Sequence, residues 1–176
     1  MSEINLERLK EPFSLFDIEW RIGRTGENNG KIWASALAYV TARAIQERLD
    51  EVFGPLGWEV HYTPGSLGVI CTIKVQSENG DWIEKSDGSQ YSEIEPFKGG
   101  ISGALKRAAA AGLGIGRYLY KLECGYAKIY KIQEYAIKNK GSYINKHKEK
   151  TWFRWTPPQL PDWALPITER GNNGKQ

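Results

Sequence analysis

The sequence predicts an α+β fold in which one helix is followed by a three-stranded antiparallel meander and a second helix. An apolar stripe with helical spacing runs over residues 33–53 and ends at a Gly-Pro pair, which stops a helix. Three runs rich in β-branched and aromatic residues follow, and Asn79-Gly80 between the last two favours a tight hairpin. A Gly- and Ala-rich helical pattern over about residues 97–111 completes the order.

The segment before the meander is predicted to hold two helices and one strand. Residues 2–10 are typical of a short amphipathic helix, and residues 16–23 alternate between apolar and polar as a strand does. The polar residues 24–31 are predicted as a loop. In the long helix over residues 33–53 the apolar positions share one face, and charged positions such as Arg43 lie opposite.

The meander and the second helix are predicted from composition and spacing. The strands cover residues 58–63, residues 67–77 and the run WIEKSD, which begins at Trp82. On the second helix the large apolar positions share one face, whereas glycine recurs along the others. Each glycine costs a helix about 1 kcal/mol relative to alanine. The sequence therefore indicates close approach of another backbone, either from the sheet or from a neighbouring subunit.

The C-terminal part of the chain gives weaker patterns. The run AKIYKIQEYAIKNK fits a strand followed by a helical turn. Residues 138–155 interleave Lys and Arg with Tyr, Trp and Phe, a mixture that suits either nucleic-acid contact or a tail packed on a neighbour. The Pro-rich residues 156–166 argue against regular structure, and the last nine residues are predicted to be disordered. We assign residues 1–137 to a core domain and residues 138–176 to a basic, aromatic and Pro-rich tail.

Composition places the chain among ordinary globular proteins. Its 176 residues suit one domain with its own core, and a net charge of +3 with a pI near 8.8 permits a nucleic-acid partner without requiring one. No apolar run is long enough for a membrane span, and the N-terminus lacks the apolar region of a signal peptide. Cys71 and Cys124 form no disulfide framework, so we expect a reducing, cytoplasmic location.

Candidate enzyme motifs are incomplete. GENNGK at residues 26–31 lacks the spacing of a phosphate-binding loop, and GLGIG at residues 112–116 lacks the third glycine and the preceding strand of a dinucleotide-binding turn. His61 and His147 have no zinc spacing to the cysteines. We therefore expect no cofactor, no metal and no enzyme activity. Two carboxylates beside Lys85 leave a metal-dependent nuclease open as an alternative.

Two stretches, with the three strands between them, resemble a known family. They are LDEVFGPLGWEV at residues 49–60 and GALKRAAAAGLGIGRYLYKL at residues 103–122. Together they resemble the Rad-type family of single-strand annealing proteins of DNA recombination, with its bacterial DdrA and phage Sak-like branches. The resemblance extends from about Phe16 to Glu123 in the same element order, and GRYLY is the phage and bacterial form of the Gly-rich turn.

The resemblance implies subunits with a β-β-β-α core that assemble into a ring or an open arc. It also implies that the protein binds single-stranded DNA along its backbone and promotes annealing of complementary strands in homologous recombination and double-strand break repair. Annealing needs no ATP, because base pairing releases the free energy. A phage or host single-strand binding protein or an exonuclease would be a further partner. The location would be the bacterial cytoplasm, or the host cytoplasm if a phage encodes the chain.

The resemblance also implies which cations contact DNA. The family's LKR cations fall on Lys106 and Arg107. The eukaryotic branch has a further Arg where this chain has Ala110. The family also has a basic residue in the first long helix, where this chain has Ala44, so the neighbouring Arg43 is the candidate contact there. These departures suggest either a DNA-binding groove with fewer cations or one to which other cations contribute.

The further candidate contacts are Lys31, Arg24, Arg117 and Lys98. A double-stranded RNA-binding module is an alternative, because it shares the order helix, three strands, helix. Its basic cluster lies at the N-terminus of the last helix, where this chain has only Lys98. A structural ring protein without affinity for nucleic acid is the third interpretation.

Overall fold

The computed structural model describes residues 4–93, 95–122, 125–131 and 140–171. Over these residues the chain is a mixed α/β protein with antiparallel sheets, so this part of the fold prediction is confirmed. No helix in the described part of the chain is both long and apolar enough to cross a membrane.

The described residues hold nine strands and two α-helices. In chain order these are β1 (Ile18–Asn28), β2 (Lys31–Val40), α1 (Ala42–Phe53), β3 (Trp58–Pro64), β4 (Gly68–Gln76), β5 (Trp82–Gln90), α2 (Pro96–Ala108), β6 (Gly125–Tyr126), β7 (Lys128–Lys131), β8 (Lys140–Ile144) and β9 (Lys150–Thr156). The strands form three sheets with the orders β1-β2-β6, β3-β4-β5 and β7-β9-β8.

These elements form two compact units. The first unit comprises Met1–Ile18 and Val40–Leu119, and it contains α1, the β3-β4-β5 sheet and α2. The second unit comprises Glu19–Tyr39 and Tyr120–Gln176, and it contains the other two sheets. The predicted domain boundary between residues 137 and 138 lies outside the described residues and stays a prediction.

The prediction of one long helix over residues 33–53 is wrong in its first half. Residues 31–40 form strand β2, and α1 begins at Ala42, after Thr41, whose hydroxyl accepts a hydrogen bond from the backbone N–H of Ala44. The helix ends as predicted at Gly54, where φ is 73°. The predicted loop over residues 24–31 is also wrong, because β1 continues to residue 28.

The turn at Asn29-Gly30 explains both errors. These residues have positive φ values of 49° and 74°, which a two-residue hairpin turn between twisted antiparallel strands requires. The turn places β2 beside β1 in the same sheet. The alanines of β2 favour a helix by intrinsic propensity, so its pairing with neighbouring strands decides its conformation.

The first unit has its core between the helices and one face of the β3-β4-β5 sheet. The β4 side chains Val69, Cys71 and Ile73 are buried, whereas the alternate residue Ile70 is exposed. A five-residue connection over residues 77–81, with Gly80 at a φ of 86°, joins β4 to β5. Strand β5 extends to residue 90, three residues beyond the predicted run.

The N-terminal segment is fixed to α1 by a buried arginine. Residues 6–10 form a 3-10 helix, shorter than the helix predicted over residues 2–10. Arg48 is 4% exposed, and its Nη1 donates to the carbonyl oxygens of Arg8 and Glu11 at 2.7 and 3.0 Å. Its guanidinium lies 4.0 Å from the centre of the Phe13 ring. This cation therefore stabilises the fold, unlike a cation on the surface.

The second unit contains most of the segment that the sequence assigns to a tail. Strand β9 pairs with both β7 and β8, and its Phe153 and Trp155 are buried in a core with Ala34 and Ala36. The Pro-rich residues 156–166 form no α-helix or strand beyond the end of β9, but they include a 3-10 turn at Asp162–Ala164. Residues 172–176 of the predicted disordered end lie outside the described residues.

Candidate nucleic-acid interface

Helix α2 lies against β4 and β5, and its small residues allow the close approach. A Cβ atom at Gly103 would overlap the side chain of Ser89, and one at Gly100 would press on Tyr91 and Val69. The sequence left two explanations for these glycines open. In the structure Gly100 and Gly103 are both explained by contact with the β4–β5 region of the same chain, so the helix that carries the cations is held firmly.

Beyond its last α-helical residue, α2 widens into a π-helical turn, Ala109–Leu113, which ends at Gly114 with a φ of 83°. The side chain of Arg117 reaches back to this turn. Its Nε and Nη2 donate to the carbonyl oxygens of Ala110 and Ala111, both at 2.6 Å. These bonds satisfy two carbonyls at a helix end, so Arg117 stabilises the turn directly.

Arg107 lies exposed on α2 and is paired with a carboxylate of the sheet. Its Nε and Nη2 are 3.3 and 3.2 Å from Oδ1 of Asp87 on β5, and its side chain is 56% exposed. The adjacent Lys106 is half-buried. Because an exposed ion pair contributes only about 0–1 kcal/mol, the pair orients Arg107 while leaving it able to bind another anion.

Strand β5 adds a cation, Lys85, that was not among the predicted DNA contacts. Lys85 is exposed, and its aliphatic stem occupies the space that a Cβ atom at Gly112 would need. Alternation along β5 puts Lys85 on the same face as Asp87, towards α2. We refer to Lys85, Asp87, Lys106, Arg107 and Arg117 as the α2 cluster.

The signal for Lys85 and Asp87 was present in the sequence as strand alternation. Residues 85, 87 and 89 share one face of β5, and Ser89 contacts α2 at Gly103. The run WIEKSD is polar and fits a strand with solvent-facing side chains, so the sequence alone does not place Lys85 and Asp87 against the second helix. Packing of α2 on β5 is what brings Lys85 and Asp87 next to the cations of the helix.

Two other predicted contacts lie away from this end of α2. Lys98 is in the first turn of α2, 3.1 Å from a carboxylate oxygen of Glu95, and it precedes Lys106 by eight residues, about 12 Å along the axis. Arg43 is exposed in the first turn of α1, whereas the neighbouring Ala44 is buried. Burial of position 44 explains why no cation stands there.

The last two predicted cations belong to the second unit. Lys31 is the exposed first residue of β2, and Arg24 is exposed on β1, where its backbone N–H donates to the Ser35 hydroxyl at 2.7 Å. Of the predicted contacts, the α2 cluster therefore brings together Lys106, Arg107 and Arg117.

The carboxylates and cysteines singled out in the sequence form no metal site in the described part of the chain. Glu84 pairs with Lys74 at 2.7 Å. Among the described residues no group of three or more His, Cys, Asp and Glu is placed to hold a metal ion. Cys71 is fully buried, and burial raises its pKa to about 11, which keeps the thiol protonated at neutral pH. Cys124 lies outside the described residues.

Comparison with known proteins places these observations in context. Residues 3–138 match a family model described as "Rad52/22 family double-strand break repair protein". The chain is 31% identical to the single-stranded DNA-binding protein DdrA of Deinococcus deserti, over 96% of this chain and 73% of the relative. It is also 31% identical to DdrA of Deinococcus radiodurans, over 96% of this chain and 71% of the relative.

Proposed function

The chain belongs to the Rad52/22 family of double-strand break repair proteins, and from this premise we propose that it binds single-stranded DNA and promotes annealing of complementary strands in recombination and repair. The observation that carries the proposal is the 31% identity, over 96% of the chain, to two proteins described as single-stranded DNA-binding. Annealing requires strands to be concentrated and oriented, and it requires no bond to be broken. The function therefore depends on surfaces that hold nucleotides.

The α2 cluster is the surface that we propose for the DNA backbone. Lys106 and Arg107 lie at the end of a helix that is fixed to the sheet by its small residues, and Lys85 lies on β5 beside the π-helical turn. Cations on a rigid helix can hold phosphates at a defined spacing, which leaves bases available for pairing. Arg117 contributes by stabilising the π-helical turn, since two of its donors already bind carbonyl oxygens.

The double variant Lys106→Ala/Arg107→Ala tests this surface. We expect it to bind a labelled oligo-dT at least about tenfold more weakly, because the variant lacks two charged hydrogen-bond donors to phosphate. The slope of log affinity against log salt should flatten by about 0.7 for each phosphate that is no longer neutralised. Oligonucleotides of other sequences should lose affinity equally, since phosphates carry no base information.

The matched control is Lys74→Ala/Lys121→Ala, which removes the same charge from two positions outside the α2 cluster. We expect its affinity and salt slope to stay near those of the wild type. Equal losses in the two double variants would show that net charge alone matters. Unchanged oligo-dT binding by the α2 variant would contradict the assignment of this surface, and displacement of the DNA by duplex RNA would contradict the proposed function.

We further propose that the chain assembles into a ring or an arc. Among the described strands, β3 and β5 each have one neighbour in their sheet, and such edges can pair with another chain. Phe16 and Leu56 of the first unit are 90% and 91% exposed, which is unusual for large apolar side chains. Gly100 and Gly103 of α2 add no support, because they contact the β4–β5 region of their own chain.

Light scattering at micromolar concentration tests assembly directly. We expect a mass several times the 19.9 kDa of one chain, both with and without DNA. Introducing charge with Leu56→Glu should lower that mass if this side chain is at a subunit contact. A monomer under both conditions would contradict the ring or arc.

A further inference from the structure

The outer face of the β7-β9-β8 sheet combines cations with exposed aromatic rings. Strand registers place the even-numbered residues of all three strands on the same face. In the central row Tyr130, Arg154 and Lys140 are directly paired across the strands. The odd-numbered residues Phe153 and Trp155 point the other way, into the core. We call the even-numbered face the outer sheet face; its residues are Lys128, Tyr130, Lys140, Ser142, Ile144, Lys150, Trp152, Arg154 and Thr156.

Charge on the outer sheet face has one sign. Its four cations are all exposed, and none of its residues on the three described strands is acidic. The nearest acidic residue in the sequence, Glu149, lies in the β8–β9 turn, where its carboxylate accepts a hydrogen bond from the amide of Asn145 at 2.7 Å. A surface of this kind attracts a polyanion.

Trp152 on the middle strand β9 is the main aromatic side chain of this face. The ring is 45% exposed, and the Nζ atoms of Lys140 and Lys150 lie 4.1 and 4.0 Å from its centroid. Tyr130, on the far side of β9 from Lys140, is 49% exposed. The face thus offers aromatic surface with ammonium groups directly beside it.

We propose that the outer sheet face binds single-stranded nucleic acid by stacking bases on Trp152 and Tyr130 and by pairing phosphates with the surrounding cations. Single strands are the nucleic-acid form whose bases are free to stack on protein side chains. An apolar partner, whether a peptide or a second copy of the chain, would need apolar surface, yet the main apolar side chain of this face is Ile144. An acidic peptide would pair with the cations but would bring no base to stack on the two exposed rings. The positive charge and the exposed aromatic rings together favour single-stranded nucleic acid as the ligand of this face.

The lysines over Trp152 do not block this role. An exposed cation–π contact is weaker than the stacking of a base on an aromatic side chain. A base that stacks on the indole displaces an ammonium group, and that group is then free to pair with a phosphate of the same strand. The ring and its two lysines are therefore arranged to bind the base and the backbone together.

This surface is separate from the α2 cluster in chemistry and in sequence. The family match ends at residue 138, and β8 and β9 lie beyond it. The inference rests on the proposed function in so far as the ligand of both surfaces is single-stranded DNA. It adds base contact, with Trp152 in a part of the chain that the family match does not cover and Tyr130 on β7 within the match.

The test compares two labelled ligands of equal length, an oligo-dT and an abasic sugar-phosphate oligomer, by fluorescence anisotropy. We expect Trp152→Ala to weaken oligo-dT binding roughly 5- to 100-fold, and to change abasic binding less than about twofold. Trp152→Phe should restore most of the oligo-dT affinity, because it restores a stacking ring. The matched control is Trp163→Ala, which removes a ring of similar exposure, 47%, from outside the sheet.

A second variant, Lys140→Ala/Lys150→Ala, makes the test independent of the ring. It should flatten the salt slope for both ligands by about 0.7 for each phosphate that the two lysines neutralise, whereas Lys121→Ala/Lys146→Ala should not. If the wild type binds oligo-dT, and the Trp152 and lysine variants bind it with the same affinity, this inference is overturned and the proposed function stands. Failure of the wild type to bind oligo-dT would overturn both. Loss of assembly with unchanged DNA affinity would assign the face to a protein contact and would also overturn the inference.

Discussion

The α2 cluster and the outer sheet face are both basic, yet they hold their cations differently. In the α2 cluster Arg107 pairs with Asp87 and Arg117 binds two carbonyl oxygens. On the outer sheet face Lys140 and Lys150 lie over the Trp152 ring, and no carboxylate shares the face on the described strands. The first region offers charges fixed by hydrogen bonds, and the second offers charge beside an aromatic surface.

The difference indicates that the two regions bind different parts of a nucleotide. Fixed cations suit phosphates, which are alike in every sequence. An aromatic ring suits bases, whichever base is present. The Arg107–Asp87 ion pair contributes only about 0–1 kcal/mol and each exposed cation–π contact at Trp152 only about 0.5–1 kcal/mol, so a nucleotide can readily replace these contacts.

Removing the support beneath the outer sheet face should have the largest effect. Phe153 is 2% exposed, and its ring covers Gly141 on β8. We expect Phe153→Ala to lower the free energy of unfolding by about 3–5 kcal/mol, because it leaves a cavity in the core of the second unit. Urea denaturation followed by tryptophan fluorescence measures this loss.

The same variant also tests whether the two regions are separate. Phe153→Ala should remove the preference for oligo-dT over the abasic oligomer, whereas the salt slope contributed by Lys106 and Arg107 should persist. The matched core variant in the first unit is Leu105→Ala, at a residue that is also 2% exposed. If both variants reduced base preference and salt slope alike, the separation of the two regions would be wrong.

Replacement of Arg117 separates a cation that stabilises the fold from one that binds DNA. We expect Arg117→Ala to lower the free energy of unfolding by about 1–3 kcal/mol, because two carbonyls of the π-helical turn lose a charged donor. Arg117→Lys should restore little of this loss, since an ammonium lacks the planar fork that reaches both oxygens. Thermal denaturation measures both variants.

Arg117 would instead be a direct DNA contact if its replacement left the melting temperature unchanged and flattened the salt slope as strongly as the replacement of Arg107 does. That outcome would contradict the role that the structure indicates.

Removal of the one carboxylate in the α2 cluster should give the smallest effect and the opposite sign. Asp87→Asn removes the anion that competes with phosphate for Arg107, so we expect oligo-dT affinity to rise about two- to fivefold. Glu84→Gln is the matched control, because it removes the same charge from the opposite face of β5. Weaker binding by Asp87→Asn would show instead that the carboxylate positions Arg107 for DNA.

The sequence predicts most of the first unit correctly but not the hairpin before it. Asn79-Gly80 is predicted as a turn, whereas the equivalent signal at Asn29-Gly30 falls within a segment predicted as loop. The residues after it, KIWASALAYV, fit a helix by their alanines and a strand by Trp33, Tyr39 and Val40. Local propensity cannot decide between these conformations, since the decision comes from pairing with other strands.

The candidate sites are predictable only in part for a related reason. Lys106 and Arg107 follow from the family resemblance, but Lys85 joins them through the packing of α2 on β5. The sequence shows a basic aromatic segment over residues 138–155, but it does not show which aromatic rings are buried and which are exposed. Strand alternation puts Phe153 in the core and Trp152 outside, and the pairing of β8 with β9 brings Lys140 to Trp152.

The annealing rate tests the central claim most directly. Two complementary oligonucleotides, labelled with a donor and an acceptor fluorophore, are mixed with the protein at a concentration that saturates both strands. We predict that the wild type accelerates annealing well above the protein-free rate, and that Lys106→Ala/Arg107→Ala loses this acceleration at the same protein concentration. A wild type that binds both strands but leaves the annealing rate unchanged would contradict the account.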